Sequence, residues 1–157
     1  MAERWVGITV AGNTLDVVDV EVPHDGALVL QLEDTWDLQT GPRPEAYGLM
    51  FERVAQYVRE NQIKHVAVMA SARSPGMGLA HLEAAELRGV VMGGAASAGA
   101  AIHVTPKSAI SNNFGERKVS QYVGDEEFWT AEVSGAVKKV RREAAMLILA
   151  ETRPRLK

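Results

Sequence analysis

The chain has 157 residues, of which 46% are hydrophobic, which is enough for one compact domain whose helices cover a sheet. A net charge of −3, from 17 basic and 20 acidic residues, does not indicate a general nucleic-acid-binding protein, so any contact with DNA or RNA needs a local basic patch. The lack of cysteine excludes disulfides, thiolate nucleophiles and cysteine-ligated zinc. The sequence also shows no secretory signal and no apolar run near the roughly 20 residues that span a bilayer, which favours a cytoplasmic protein.

Three strands are predicted at the start of the chain. The first covers residues 4–10 and the second covers 14–22, and the Ala-Gly-Asn connection between them tolerates the positive φ of a tight hairpin. Apolar and acidic residues alternate along the second strand, which indicates one buried face and acids that mostly face water. A turn then leads to a third strand at 27–32. The opening is therefore an antiparallel meander.

A helix and a buried strand follow the meander. Glycine and proline break the strand pattern at 40–44, after which apolar side chains recur at helical spacing as far as about Asn61. Residues 65–69 form a short apolar run, which is typical of a central strand reached through a helical crossover and paired in parallel. The sheet is therefore predicted to be mixed.

The second half of the chain adds one strand and several helices. A loop at 71–78 precedes a long helix from about 79 to 98, residues 102–104 form a fifth strand, and a short helix begins near Pro106. The rest is predicted to be helical, with lysines and arginines opposite an apolar stripe made of Val133, Val137, Val140, Ala144, Leu147 and Ile148.

These elements predict one α/β domain over residues 1–151 and a flexible tail over 152–157. Its sheet has five strands, three antiparallel and then two parallel, flanked by helices. This order resembles the RNase H-like fold, and several segments resemble its RuvC-like branch, the Holliday junction resolvases. The resemblance covers nearly the whole chain.

Five segments carry the resemblance to the RuvC-like proteins. Val6-Gly7-Ile8 is similar to their opening strand, and residues 86–90 resemble the Ala-Arg-Gly helix that follows their fourth strand. Residues 103–108 and 115–123 carry a strand, a short helix and a Gly/Lys segment leading to Val. Residues 143–150 resemble the terminal helix written Asp-Ala-Ala-Asp-Ala-Leu-Ala.

The resemblance implies a site at which four carboxylates hold two magnesium ions for phosphodiester hydrolysis. In this chain Thr9 stands at the position of the first-strand aspartate, Met69 or Ala70 at that of the fourth-strand glutamate, and Met146 at that of the second aspartate of the last helix. Only Glu143 remains. Magnesium prefers oxygen ligands, so the expectation is a catalytically degenerate domain without a cofactor.

Relocated acids are the alternative to a degenerate site. Asp16 and Asp19 of the second strand, or Glu83 and Glu86 on one face of the second long helix, are candidates to join Glu143 in a magnesium- or manganese-dependent, structure-specific endonuclease. The competing interpretation is that these acids are solvated, because surface strands and the first turns of helices favour acids without any metal. The four histidines have no ligand spacing of the His-x-x-x-His kind.

Basic residues suggest where a nucleic acid would bind. The candidates are Arg73, Arg117, Lys118, Lys138, Lys139 and Arg142. A solvated face opposite an apolar stripe gives the same pattern, so both interpretations stay open. The loop from Arg73 to Gly78 is a further candidate phosphate site, against the alternative of an ordinary connection.

The leading hypothesis is a nucleic-acid-binding or protein-assembly module that binds DNA, RNA or a partner protein and has no membrane-bound form. A homodimer is also predicted, because RuvC-like proteins commonly pair and large aromatic side chains make good interface anchors. The candidate anchors are Trp36, Phe128 and Trp129.

Overall fold

The computed structural model describes residues 2–73, 76–115 and 117–154. The first half of the chain contains β1 (Glu3–Ala11), β2 (Thr14–Val22), β3 (Leu28–Asp37), α1 (Arg43–Glu60) and β4 (His65–Met69). The second half contains α2 (Leu79–Ser97), β5 (Ala101–Thr105), α3 (Lys107–Phe114), α4 (Val119–Val123), α5 (Glu126–Glu132), β6 (Val133–Ser134), a 3₁₀ turn (Lys139–Arg141) and α6 (Arg142–Thr152).

The strands form one mixed sheet in the order β5-β4-β1-β2-β3-β6. The β1–β2 and β2–β3 pairs are antiparallel, as predicted, and β4 and β5 add in parallel beside β1. The prediction of five strands was wrong by one: among the described residues the sheet has six. The sixth, Val133–Ser134, lies in the region predicted to be helical and pairs in parallel with Leu28 and Val29 at the edge of β3. Gly135 turns the chain directly afterwards with a φ of +123°, a conformation that interrupts a helix.

Helices cover both faces of the sheet. On the first face, Val6, Ile8 and Val10 of β1 pack against α1 and α2. On the second face, Trp5 and the apolar residues of α6 form a separate core together with α3, α4 and α5. Because β2 is covered on both sides, Val17 and Val18 are both fully buried, and the expectation that one face of this strand meets water was wrong.

Gly7 sets how closely α6 approaches the sheet. A Cβ atom at this position would overlap the carbonyl oxygen of Ala144 and lie 3.2 Å from Cγ1 of Ile148. Arg153, just beyond α6, donates a hydrogen bond to the carbonyl oxygen of Pro23, which follows β2 and lies beside the beginning of β1. The helix therefore runs antiparallel to β1, and its first turn lies at the end of the strand that carries Thr9.

The C-terminal region departs from the predicted amphipathic helix. Val137 is buried as expected, but Val140 is 65% exposed, because it lies in the 3₁₀ turn rather than on the apolar face of a continuous helix. At the end of the chain, Thr152 belongs to α6, whereas residues 155–157 of the predicted tail lie outside the described residues. Within the described ranges, no helix has the length and apolar character that crossing a bilayer requires.

Candidate functional site

The carboxyl ends of the central strands β1 and β4 meet the first turn of α6. They lie at the edge of the sheet that is formed by the ends of the strands, not at an edge strand. Thr9 and Asp16 lie directly opposite each other in the β1–β2 ladder, so both side chains point to the face that α6 covers. Met69 ends β4 on the same face and packs against the core around α6. This place, the edge site, is made of Thr9, Asp16, Met69, Lys107 and Glu143.

Glu143 is the acid that α6 presents at the edge site. One of its carboxylate oxygens lies 2.7 Å from Nζ of Lys107, the first residue of α3. The two side chains are 35% and 55% exposed, so the ion pair is open to solvent. One helical turn further along α6, Met146 is fully buried in the core and presents no oxygen to the site.

Asp16 is the second acid on this face. It is half-buried and accepts a hydrogen bond from Oγ1 of Thr35 on β3, with a length of 2.8 Å. Among the relocated acids that the sequence suggested, Asp16 therefore lies on the same face of the sheet as Glu143.

Asp19 lies on the opposite face, towards α1. It is fully buried and accepts hydrogen bonds from Nε of Arg4, at 3.0 Å, and from the hydroxyl of Tyr57. Burial, and then the hydrogen bond to Asp19, raise the pKa of Tyr57 far above its usual value. Asp19 thus serves as an internal counter-ion in the layer between the sheet and α1, which separates it from Glu143.

Glu83 and Glu86 also lie in the layer of α1 and α2. Glu86 accepts a hydrogen bond of 2.9 Å from the hydroxyl of Tyr47, and Glu83 pairs with Arg43 at 2.9 Å. Both contacts fasten α2 to the beginning of α1. The sheet therefore stands between this pair of acids and the edge site.

The edge site does not fit a pair of magnesium ions. Thr9 and Met69 offer no carboxylate, and Asp16 and Glu143 already have a hydroxyl donor and an ammonium as partners. Within residues 2–73, 76–115 and 117–154, no group of three or more histidine, aspartate or glutamate side chains has the arrangement of a metal site. Two-metal hydrolysis requires both ions to be held rigidly by several oxygens.

Two of the six basic candidates have structural partners. Arg142 is only 6% exposed, donates to the carbonyl oxygens of Val137 and Val123, and forms a bidentate pair with Glu126 at 2.8 Å. This hydrogen-bonded pair lowers the pKa of Glu126. Arg142 was expected to be solvated and to face a phosphate, but in the structure its side chain lies inside the fold.

Arg117 is also held by its own chain. It pairs with Asp125 at 2.9 Å, donates to the carbonyl oxygen of Gln121 and lies 4.6 Å from the ring centre of Tyr122. The hydrogen bond from Arg117 is the main reason that the pKa of Asp125 is lowered. This arrangement connects the segment before α4 to the start of α5.

The other basic candidates are exposed to solvent. Lys138 and Lys139 lie at the 3₁₀ turn, which contacts α6 and β2, and their side chains are exposed beside the first turn of α6. The neighbouring Arg141 pairs with Glu33 of β3 at 3.5 Å, which holds the turn against the sheet. Lys118 and Arg73 are exposed as well. Lysines therefore flank the edge site on both sides, Lys107 on one and Lys138 and Lys139 on the other.

Comparison with solved structures identifies the architecture. RuvC of Thermus thermophilus has a TM-score of 0.69 and 17% identity over 94% of this chain and 92% of its own. The same protein in complex with a Holliday junction substrate has a TM-score of 0.67 and 16% identity, covering 94% and 91% of the two chains. The yeast mitochondrial Holliday junction resolvase Ydc2 has a TM-score of 0.65 and 13% identity, covering 96% and 79%.

The fold is that of RuvC. The predicted RuvC-like, RNase H-like architecture is thereby confirmed. At this level of identity the comparisons show the fold alone, and the chemistry of the site has to be argued from this chain's residues. No protein-family model matches the sequence, and no curated protein is significantly similar to it.

Within this RuvC-like fold, side chains of α2 hold the β4 end of the loop between β4 and α2. Arg88 of α2 donates to Oγ of Ser71 and to the carbonyl oxygen of Val10, both at 3.0 Å, and His81 donates to the carbonyl oxygen of Ala72 at 2.7 Å. Burial lowers the pKa of Arg88. The central residues of the candidate phosphate loop, Ser74 and Pro75, lie outside the described residues.

The sequence did not indicate two features of the RuvC-like domain. His65 and His103 lie 3.1 Å apart on neighbouring parallel strands and stack on Trp5, at the end of β1 far from the edge site. Lys107 was not among the candidates, although it follows a Thr-Pro pair that starts a helix. The pairing of His65 with His103 could have been predicted, because β4 and β5 were expected to be parallel neighbours and aligning the two strands brings their histidines close together.

Proposed function

We propose that this domain binds nucleic acid through the edge site and does not hydrolyse it. The carrying observation is that lysines flank the first turn of α6. The resemblance further implies that Thr9, Met69 or Ala70, and Met146 stand at positions where RuvC-like proteins have acids. A RuvC of the same fold has been solved with a Holliday junction, which makes four-way junction DNA the first ligand to test.

The local charge supports binding even though the net charge is −3. Lys138 and Lys139 are exposed on the 3₁₀ turn. Two acids lie near them: Glu33 is engaged by Arg141 and by the backbone N–H of Lys138, and Glu126 is engaged by Arg142. Each phosphate that a lysine neutralises releases counter-ions, so the binding constant falls as the salt concentration rises. In a plot of log K against log[salt], each such contact makes the slope steeper by about 0.9, and this slope is called the salt slope below. A few exposed lysines on one edge are thus enough for measurable, salt-dependent affinity.

The direct test is fluorescence anisotropy with a labelled four-way junction and a linear duplex of the same length. For the double variant Lys138→Gln, Lys139→Gln we expect binding to weaken by roughly tenfold at low salt and the salt slope to fall by about 2. Lys64→Gln is the matched control, because Lys64 is exposed at the opposite edge of the sheet, before β4. Unchanged binding by the double variant, or no binding by the wild type, would contradict the proposal.

A nuclease built from relocated acids is the second candidate, and the position of Asp16 favours it. Asp16 stands beside Thr9 on the face that α6 covers, which is also the face of Glu143, and this candidate assigns a single magnesium or manganese ion to these two carboxylates. Calorimetric titration with manganese, followed by incubation of the junction with either metal, tests this candidate. Manganese binding that Asp16→Asn and Glu143→Gln both abolish, together with cut products, would replace the first proposal.

Self-association remains a prediction, but its surface differs from the one that the sequence indicated. Trp36, Phe128 and Trp129 are buried in the two cores and therefore cannot anchor a partner. Two exposed apolar side chains lie instead at the start of α2, where Leu79 is 71% exposed and Leu82 lies one turn away. Analytical ultracentrifugation of the wild type and of Leu79→Glu tests a homodimer, which we expect the charged variant to dissociate.

A further inference from the structure

We infer that Lys107 provides, at the edge site, the positive charge that a divalent ion provides in a metal-dependent nuclease, so that a nucleic-acid phosphate binds here without metal. This inference rests on the proposed function and specifies its chemistry: the ligand group is a backbone phosphate, and the group that contacts it is the ammonium of Lys107.

The contact between Lys107 and Glu143 carries the inference. Nζ of Lys107 lies 2.7 Å from Oε1 of Glu143, the residue that the resemblance to RuvC-like proteins matches to one of their acids. The ammonium therefore neutralises the carboxylate that would otherwise attract a cation. A divalent ion that used Glu143 as a ligand would first have to displace Lys107, and it would find neutral side chains at Thr9, Met69 and Met146.

Exposure makes the ammonium available to a ligand. Lys107 is 55% exposed, and its ammonium has three donors, of which Glu143 requires one. Exposed ion pairs contribute little stability, so a phosphate can share or replace the carboxylate as the partner of Lys107 at small cost. A lysine binds phosphate as a compact point charge and needs no fixed angle of approach.

The surroundings favour a phosphate over a second carboxylate. Across α6 from Lys107, the 3₁₀ turn presents Lys138 and Lys139, so a strand of nucleic acid that contacts Lys107 can extend towards further positive charge. Glu151, the other acid near the end of β5, is engaged by the hydroxyl of Thr105 at 3.1 Å.

Glu143→Gln separates the ammonium mechanism from a metal mechanism, because the two predict opposite signs. If Lys107 binds the phosphate, removing the competing carboxylate frees the ammonium, and we expect binding of the four-way junction to tighten by about twofold to fivefold. If a metal held by Glu143 binds the phosphate, the same variant weakens binding and removes its dependence on magnesium. The assay is anisotropy in EDTA and in magnesium.

Lys107→Gln completes the test. We expect binding in EDTA to weaken by about fivefold or more and the salt slope to fall by about 1, while Lys64→Gln changes neither. The wild type should bind equally in EDTA and in low magnesium at constant ionic strength. Both variants are solvent-facing, and circular dichroism with a thermal melt confirms that each is folded.

The outcomes distinguish this inference from the proposed function. If the wild type binds no nucleic acid, the proposed function fails. If the wild type binds, but Lys107→Gln behaves like Lys64→Gln, or EDTA weakens wild-type binding, or Glu143→Gln binds less tightly, then the domain binds nucleic acid but Lys107 does not replace a metal.

Discussion

The two faces of the sheet use charge in opposite ways. On the face covered by α1, the carboxylate of Asp19 is fully buried and is enclosed by Arg4 and Tyr57, so a ligand cannot reach it directly. On the face covered by α6, Asp16 and Glu143 are partly exposed, and their partners are Thr35 and Lys107. The first arrangement stabilises the fold, whereas the second leaves charges that a ligand can reach.

The difference teaches that acid content alone does not locate a site in this fold. Asp16 and Asp19 are three residues apart on one strand, yet they point to opposite faces and have different partners. The face to which we assign nucleic-acid binding is the one where α6 comes close enough to the sheet to bring its first turn beside Thr9. Gly7 allows that approach, so a substitution at Gly7 tests whether the close packing of α6 sets the two faces apart.

The largest effect is expected for Gly7→Ala. The added methyl group would overlap the backbone oxygen of Ala144, which cannot move without shifting α6, so the free energy of unfolding should fall by about 3 kcal/mol. Chemical denaturation followed by circular dichroism measures this change. The same shift would displace Glu143, so junction binding by any folded fraction should also change.

Gly48→Ala is the matched control for Gly7→Ala. Gly48 lies within α1, and apart from its chain neighbours and the adjacent backbone of its own helix, no described atom would come within 4 Å of an added methyl group. Alanine in a helix interior is better than glycine by roughly 0.5–1 kcal/mol, so this variant should be more stable than the wild type. A Gly7→Ala variant as stable as the Gly48→Ala control would show that α6 is not held by close packing.

Arg142→Ala should give the next largest loss. Arg142 is almost completely buried on the α6 face and satisfies the carbonyl oxygens of Val137 and Val123 as well as Glu126. Leaving these carbonyls without donors and emptying the space of the side chain should cost about 2–3 kcal/mol. Lys139→Ala, on the neighbouring turn, should cost less than about 0.5 kcal/mol because its side chain is exposed.

These two variants also distinguish structure from binding. If Arg142 were a phosphate contact, Arg142→Ala would weaken junction binding while leaving the thermal melt nearly unchanged. We expect the reverse for Arg142, and for Lys139→Ala we expect weaker binding with an unchanged melt. The two variants therefore test whether, at the start of α6, the buried Arg142 stabilises the fold and the exposed Lys139 contacts the nucleic acid.

Local periodicity was sufficient to predict most of the fold. Apolar residues alternate along β2 and recur at helical spacing along α1, and β4 is a continuous apolar run, so the type and order of these elements followed from the sequence. β6 was missed because two residues carry no period, and because Val133–Ser134 becomes a strand only through pairing with the edge of β3. That pairing is a tertiary contact between distant parts of the chain.

The site was less predictable than the fold. Asp19 and Arg142 looked solvated because they are charged, but burial depends on which helix covers them, and partners such as Tyr57 and Glu126 lie far away in sequence. Lys107 and Glu143 likewise meet only because α3 packs against α6. The resemblance indicated which positions would carry acids, while the structure alone revealed the ammonium of Lys107 beside Glu143.

The next prediction concerns the closed face. Asp19→Asn removes the counter-ion of Arg4 and weakens the hydrogen bond from Tyr57, and we expect the free energy of unfolding to fall by about 2 kcal/mol, since Arg4 is partly exposed and regains some hydration. Asp16→Asn is its matched partner on the open face, with an expected change below about 1 kcal/mol. Equal losses for both variants would contradict the contrast between the two faces.

The smallest effect is an alkaline loss of stability that involves Tyr57. Because burial and Asp19 raise its pKa in the folded protein, Tyr57 keeps its proton above about pH 10, where the tyrosine of the unfolded chain loses it. Above that pH the unfolded state binds fewer protons than the native state, so the free energy of unfolding should fall as pH rises. Denaturation of Tyr57→Phe between pH 8 and 11 should show a shallower decline than the wild type, whereas Tyr47→Phe, which removes a more exposed tyrosine on the same face, should change the slope less. Parallel curves for the wild type and Tyr57→Phe would mean that Asp19 and Arg4 hold this face without help from the tyrosine proton.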